Sequence, residues 1–148
     1  MIKFRYLTIL FLTTVAKDDK LVIEQMIKHN CGRSSRIGDK LELHYVGKLE
    51  NKRVFDSSRD RDQTFSFQVG KGEVIQGWER GLLEMCPGDM RRLIVPPSLG
   101  YGDMNMGKIP ANSYLFFEVQ LVSIYDHVED RKYELQKIGH KPMYKDEL

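Results

Sequence analysis

The sequence lacks the short motifs by which many enzymes are recognised. It has no Gly-x-Ser-x-Gly elbow. Its four histidines, His29, His44, His127 and His140, are scattered, and no pattern places one as a base for Ser57 or Ser58 beside Asp56. Gly70-x-Gly72 stands without the rest of a dinucleotide or phosphate-loop fingerprint. Hydrolase, kinase and dehydrogenase chemistry are therefore poorly supported. Charge of one sign is also missing, since 23 basic residues face 21 acidic ones. No basic stripe marks a nucleic-acid partner. Arg59-Asp60-Arg61-Asp62 alternates in sign and reads as a solvated or self-paired loop. No Asn-x-Ser/Thr sequon occurs, so N-glycosylation is not expected.

Long apolar runs are scarce, and the one present is at the start. Lys3 and Arg5 precede an uncharged stretch from Tyr6 to Ala16, which breaks into Lys17-Asp18-Asp19-Lys20. Thr14-Val15-Ala16 supplies small residues for a signal peptidase, so cleavage is expected after Ala16. Eleven residues is too short for a membrane anchor, because a spanning helix needs about 20. The chain ends in Lys145-Asp146-Glu147-Leu148, the receptor-read signal for retention in the endoplasmic reticulum. The two ends together point to the lumen of that compartment. They divide the chain into a removed segment, residues 1–16, a domain over 17–126 and a charged tail over 127–148. No membrane span is expected after cleavage.

Cysteine is limited to Cys31 and Cys86. In an oxidising lumen an even pair reads as one disulfide. The separation of 55 residues corresponds to about 4 kcal/mol in the loop-entropy model. Two separate buried thiols are the alternative. A Cys-x-x-Cys redox motif is absent, and His29-x-Cys31 has no second pair at metal-ligand spacing.

Hydrophobic periodicity predicts the elements. Leu21 to Ile27 reads as a strand. Leu41, Leu43 and Tyr45 alternate with Glu42 and His44, a half-buried strand. Val54-Phe55 is extended after the turn at Glu50-Asn51-Lys52. Phe65, Phe67 and Val69 alternate before the break at Gly70-Lys71-Gly72. Then Trp78, Leu82 and Met85 fall on one face of a helix that Leu83 widens and Pro87-Gly88 stops. Met90 to Val95 is a strand closed by Pro96-Pro97. A loop runs from Leu99 to Pro110, and Leu115, Phe117, Val119 and Leu121 alternate on a last strand. A further helix is expected over 128–138. Four or five strands with one helix make an α+β domain, in which the sheet curves over the helix.

The chemistry lies in the aromatic side chains. Tyr45, Phe55, Phe65, Phe67, Trp78, Tyr101, Phe116 and Phe117 are interleaved with Val74, Ile75 and Ile109. Core packing accounts for any one of them alone. Grouped with a lone acid, Asp56, and a phenol on a glycine-bearing loop, Tyr101, they read as an apolar pocket with a few polar handles.

Several blocks in order carry a resemblance. They are Gly47-Lys48-Leu49-Glu50, Val54-Phe55-Asp56-Ser57-Ser58-Arg59-Asp60, Gly70 through Glu79, Gly81-Leu82-Leu83, Pro96-x-x-Leu99-Gly100-Tyr101-Gly102 and Lys108-Ile109-Pro110. This arrangement resembles the FKBP immunophilins, the macrolide-binding peptidyl-prolyl cis-trans isomerases, over about residues 23–125. It is most similar to their secretory-pathway members, which also carry cysteines at positions like Cys31 and Cys86. The resemblance implies a curved antiparallel half-barrel sheet of about five strands wrapped around one short helix. It implies a pocket floored by Trp78 and walled by Tyr45, Phe55, Phe65 and Phe117. Val74 and Ile75 would form the rim, with the Ile75 N–H facing a ligand carbonyl, and Glu73 would offer its backbone carbonyl. Asp56 would be the buried acid, paired with Arg61, and Tyr101 and Ile109 would come from the long loop.

The implied partners are proline-containing unfolded or nascent secretory chains, and macrolides such as tacrolimus or rapamycin. The tail would engage the retention receptor through Lys145, Asp146, Glu147 and Leu148. The protein is expected to be a monomer with no cofactor. A holding chaperone of the same fold, with little turnover, is the alternative. The pattern departs from the family at Asp103 to Gly107, where Met104 and Met106 occur, and at Lys108. The tail has no Asp-x-Asp-x-Asp-Gly loop, the signature of the calcium-binding hands of some luminal relatives.

Overall fold

In the computed structural model, residues 18–125 are described. The proposed signal segment, the retention tetrapeptide and the helix expected over 128–138 lie outside them. The elements run β1 (Val22–Ile27), β2 (Lys40–Leu49), β3 (Val54–Ser57), β4 (Phe65–Gln68), α1 (Gln76–Gly81), β5 (Met90–Val95), a 3-10 turn (Pro97–Leu99) and β6 (Leu115–Tyr125). The six strands form one antiparallel sheet in the order β1-β5-β6-β2-β3, with β4 also paired to β2. The sheet stays open, and α1 packs on its inner face against β5.

Alternation in the sequence becomes alternation of burial. Along β2 every second residue is buried, from Leu41 through Leu43 and Tyr45 to Leu49. Leu93 and Val95 of β5, and Leu115, Phe117, Val119 and Leu121 of β6, face the same core. One register detail positions the site. β3 and β4 share a single edge of β2, with Asp56 opposite Gly47 and Phe65 opposite Leu43. The chain between them leaves the sheet at Ser58 and returns at Thr64, so Phe55, Asp56 and Phe65 border one hollow.

The helix is shorter than its apolar pattern predicts. It stops at Gly81, although Leu82 and Met85 are fully buried. Side chains take over the backbone groups that a longer helix would have paired. The buried Arg91 guanidinium donates to the carbonyls of Gly81 at 2.8 Å and Leu83 at 2.6 Å. The Ser35 hydroxyl donates to the Leu82 carbonyl at 2.6 Å and accepts from the Met85 N–H at 2.9 Å. Glu84 then takes a left-handed conformation with φ of 59°. Periodicity reported burial correctly there, but hydrogen bonding decided the conformation. Gly77 and Gly81, one helical turn apart, let α1 sit directly on β5. A Cβ at either would come within 2.5 Å of Val95 or 2.8 Å of Leu93.

Cys31 and Cys86 form a disulfide with their Cα atoms 5.8 Å apart. It joins the irregular segment after β1 to the turn after α1. Among the described residues no helix is long and apolar enough to cross a membrane.

Candidate functional site

Trp78 is the centre of the aromatic cluster. It projects from α1 toward β2, β4 and β6 and is 5% exposed. Its indole meets Tyr45 at 5.0 Å, Phe117 at 5.2 Å and Phe65 at 5.9 Å, with ring planes 75–79° apart. Phe55 meets Phe117 at 5.6 Å and 90°. Edge-to-face packing puts electropositive ring edges on electronegative faces and holds each ring in one orientation. The indole N–H is buried and has no hydrogen-bond partner among the described residues. Such a donor costs about 1–3 kcal/mol, a cost that folded proteins tolerate at few positions.

These rings surround a cavity of about 230 Å³, lined by Tyr45, Phe55, Asp56, Phe65, Glu73, Val74, Ile75, Trp78, Tyr101 and Phe117. Ten of the twelve residues singled out in the sequence therefore border one hollow. The other two are placed elsewhere. Arg61 lies just outside, bound to Asp56. Ile109 is buried in the core beneath the loop, where an antiparallel bridge from Met106 turns the chain back on itself. The Glu73 carboxylate, expected to leave only its backbone at the site, accepts the Gln68 N–H at 3.0 Å.

A larger hollow of about 380 Å³ lies on the outer face of the sheet, bordered by Glu24, Lys48, Arg92 and Glu118 among others. Those four charges pair with one another across four strands, Arg92 with Glu24 at 3.1 Å and Glu118 at 3.6 Å, Lys48 with Glu118 at 3.8 Å. That face is a solvated charge ladder. Phe116 and Phe117 also border it, but the smaller hollow has six aromatic residues in its walls.

One edge of the aromatic cavity is polar. The Tyr45 hydroxyl donates to one Asp56 oxygen and Arg61 donates to the other. Arg61 also reaches the Tyr45 hydroxyl at 3.1 Å, and the Ser57 N–H adds a bond to Asp56 at 2.9 Å. Burial pushes the Asp56 carboxyl upward, but the bonds from Tyr45 and Arg61 outweigh it and leave the group below its ordinary 3.8. Burial and the bond to Asp56 raise Tyr45 above its ordinary 10.0. The pair is thus a fixed carboxylate and a fixed phenol, not a proton-transfer couple at neutral pH.

Ser58 requires a correction. The structure brings His44 Nδ1 to 3.0 Å from the Ser58 hydroxyl, a meeting that no sequence pattern indicated. That hydroxyl is wholly buried and also accepts the Tyr45 N–H at 2.8 Å. It anchors the strand that carries Tyr45 and has no access to a substrate.

Sequence reasoning passed over Gly47 as a site residue. A Cβ there would stand 2.6 Å from the Phe55 ring and 2.9 Å from the Phe117 ring. A glycine interrupting an otherwise alternating strand was the available signal, since it marks close approach.

Comparison with known proteins agrees with this geometry. The model of FKBP-type peptidyl-prolyl cis-trans isomerases matches residues 31–122. FK506-binding protein 2 of Dictyostelium discoideum is 53% identical over 95 residues, 64% of this chain and 71% of that protein. FK506-binding protein 2 of Debaryomyces hansenii is 46% identical over 121 residues, 80% of this chain and 90% of that protein. The human peptidyl-prolyl cis-trans isomerase FKBP2 is 41% identical over 136 residues, 85% of this chain and 96% of that protein. An aromatic hollow between an open antiparallel sheet and one short helix, carried on a sequence with these likenesses, places the chain in the FKBP-type peptidyl-prolyl cis-trans isomerase family, enzymes that accelerate rotation about X-Pro bonds.

Proposed function

We propose that the cavity over Trp78 is where this enzyme binds and turns the X-Pro bond, and that it does so in the lumen of the endoplasmic reticulum. The observation that carries the site is the edge-to-face packing of Tyr45, Phe65 and Phe117 around one indole, with a fixed carboxylate at the margin. The X-Pro bond turns slowly because twisting it sacrifices amide resonance, a barrier of about 18–20 kcal/mol. Water favours the planar, more dipolar amide. A pocket that strips that water favours the twisted, less dipolar form.

The residue roles follow. Trp78 is the floor under the proline ring, and Tyr45, Phe55, Phe65 and Phe117 grip its sides. Val74 and Ile75 form the rim, where the Ile75 N–H meets a ligand carbonyl. The Tyr101 hydroxyl donates to the swinging carbonyl. Asp56, held by Arg61, organises and polarises the wall and is not a general base. Each tenfold in rate needs only about 1.4 kcal/mol, so several modest effects suffice without a nucleophile.

The working unit is residues 17–126, acting on newly imported chains whose folding waits on slow prolyl turns. Residues 127–148 carry the address for the retention receptor. Macrolides such as rapamycin compete for the same cavity. The test is a protease-coupled assay on an X-Pro peptide, with and without rapamycin. Activity that persists undiminished in Asp56→Ala, Trp78→Ala and Phe117→Ala alike removes the cavity from the reaction. For the address, the test is a fluorescent protein inserted after residue 16 of the full chain: loss of its lumenal retention on deleting the last four residues supports the address, and unchanged retention rejects it.

A further inference from the structure

The residue after Trp78 is a buried carboxylate with an unusual set of partners. Glu79 is 9% exposed and lies in the first turn of α1. Its two oxygens turn back to the loop before the helix. One accepts the Gly70 N–H at 2.6 Å and the other the Gly72 N–H at 3.0 Å. Gly70 and Gly72 both have left-handed backbones, with φ of 88° and 69°. That pair of conformations, one residue apart, aims two N–H groups at a single acceptor.

The loop is also fixed at its far end. The Ile75 carbonyl accepts from the N–H groups of Trp78 at 2.9 Å and Glu79 at 3.2 Å. Glu79 therefore holds the segment Gly70–Ile75 at its start through its side chain and at its end through its backbone. That segment carries Glu73, Val74 and Ile75, three of the residues bordering the cavity. Trp78 stands on the same helical turn. Floor and rim are thereby referenced to one another through one carboxylate.

We infer that Glu79 is a positioning residue for the isomerase. It sets the height of the Val74–Ile75 rim over the Trp78 floor, and so governs how well the substrate is gripped. The inference rests on the aromatic cavity being the site of turnover. Glu79 touches no reacting atom.

The substitutions Glu79→Gln and Glu79→Ala distinguish this role from simple support of the fold. An amide retains one acceptor and presents its NH2 to the other N–H, so Gln should be intermediate. The expected result is a rise in KM of about tenfold for Ala, the equivalent of one charge-assisted hydrogen bond. The rise should be smaller for Gln, with kcat changed less than KM in both. Amide exchange at Gly70 and Gly72 should speed up in the same order, while exchange in β2 and β6 stays at the wild-type rate. Phe117→Ala serves as the control for the cavity. If Phe117→Ala lowers activity but Glu79→Gln leaves KM and the exchange of both glycine amides within twofold of wild type, the inference is wrong and the cavity assignment stands. If Glu79→Ala fails to fold, the Gln variant decides alone. A uniform acceleration of exchange across the sheet, with unchanged KM, assigns Glu79 to global stability and overturns the proposal.

Discussion

Gly47 lies under the Phe55 ring, which occupies the space where a Cβ would be, 2.6 Å from its nearest ring atom. The same missing atom leaves room for Phe117, 2.9 Å away. Two walls of the cavity therefore depend on a residue with no side chain. Gly47→Ala is expected to push both rings aside. Overpacking of this kind costs about 1–3 kcal/mol. Denaturant unfolding should show that loss, and kcat/KM should fall by more than stability alone explains. An alanine variant with full activity would show that the two rings can yield without harm to the site.

The disulfide between Cys31 and Cys86 is not the sole clasp on its segment. Ser35, four residues on, is fully buried. Its N–H donates to the Met85 carbonyl at 2.8 Å and its carbonyl accepts the Glu84 N–H at 2.9 Å. Removing the bridge as Cys31→Ser with Cys86→Ser should lower stability by no more than about 4 kcal/mol, the loop-entropy value. Activity at 25 °C should persist, because neither cysteine borders the cavity and the Ser35 bonds still hold the segment beside the bridge. Urea midpoints of oxidised and reduced protein check the first expectation, and an assay in reductant checks the second.

Asp89 sits beside that bridge with its side chain fully buried. It accepts from the N–H groups of His29 at 2.6 Å and Cys86 at 3.0 Å, and from Lys28 Nζ at 2.9 Å. Burial pushes the carboxyl up, but those bonds overcome it and hold the group at about 2, against 3.8 unfolded. A depressed carboxyl stabilises the fold above its unfolded value and ceases to do so as pH falls through its folded value. Asp89 should thus contribute on the order of 2 kcal/mol above pH 4, lost between about pH 4 and pH 2. Unfolding curves of wild type and Asp89→Asn should differ at pH 6 and converge near pH 2. A constant gap would assign the effect to something other than ionisation.

Much of the fold was legible because alternation is a strong signal. β2, β5 and β6 follow their apolar residues closely. The aromatic site was legible because its residues are bulky and recur in family order. The helix end was not, because its arrest depends on Arg91 and Ser35, the second of them 47 residues before the Leu82 carbonyl it serves. β1 shows another limit. Its apolar residues mark a strand, which is present, yet Val22, Ile23, Met26 and Ile27 are 43–45% exposed, so apolar character there did not report burial. Glu79 carried no distinguishing pattern, because a carboxylate in a first turn usually serves the helix dipole.

The pH profile of the reaction follows from Asp56 and Tyr45. The Asp56 carboxyl, pushed up by burial but pulled down further by its bonds from Tyr45 and Arg61, lies below 3.8. It is therefore ionised throughout the range above pH 5. The Tyr45 hydroxyl, raised by burial and by its bond to Asp56, lies above 10.0 and is therefore neutral below pH 9. Among the described residues no histidine borders the cavity. The value of kcat/KM on a peptide without titratable side chains should thus be level from about pH 5 to pH 9. Tyr45→Phe should lower it by less than about tenfold, since one neutral donor is lost and the ring stays. The level profile should survive that substitution, because Arg61 and the Ser57 N–H still hold the Asp56 carboxylate. A bell-shaped profile in the wild type would mean that a proton moves during the reaction, and the purely environmental account of catalysis would then fail.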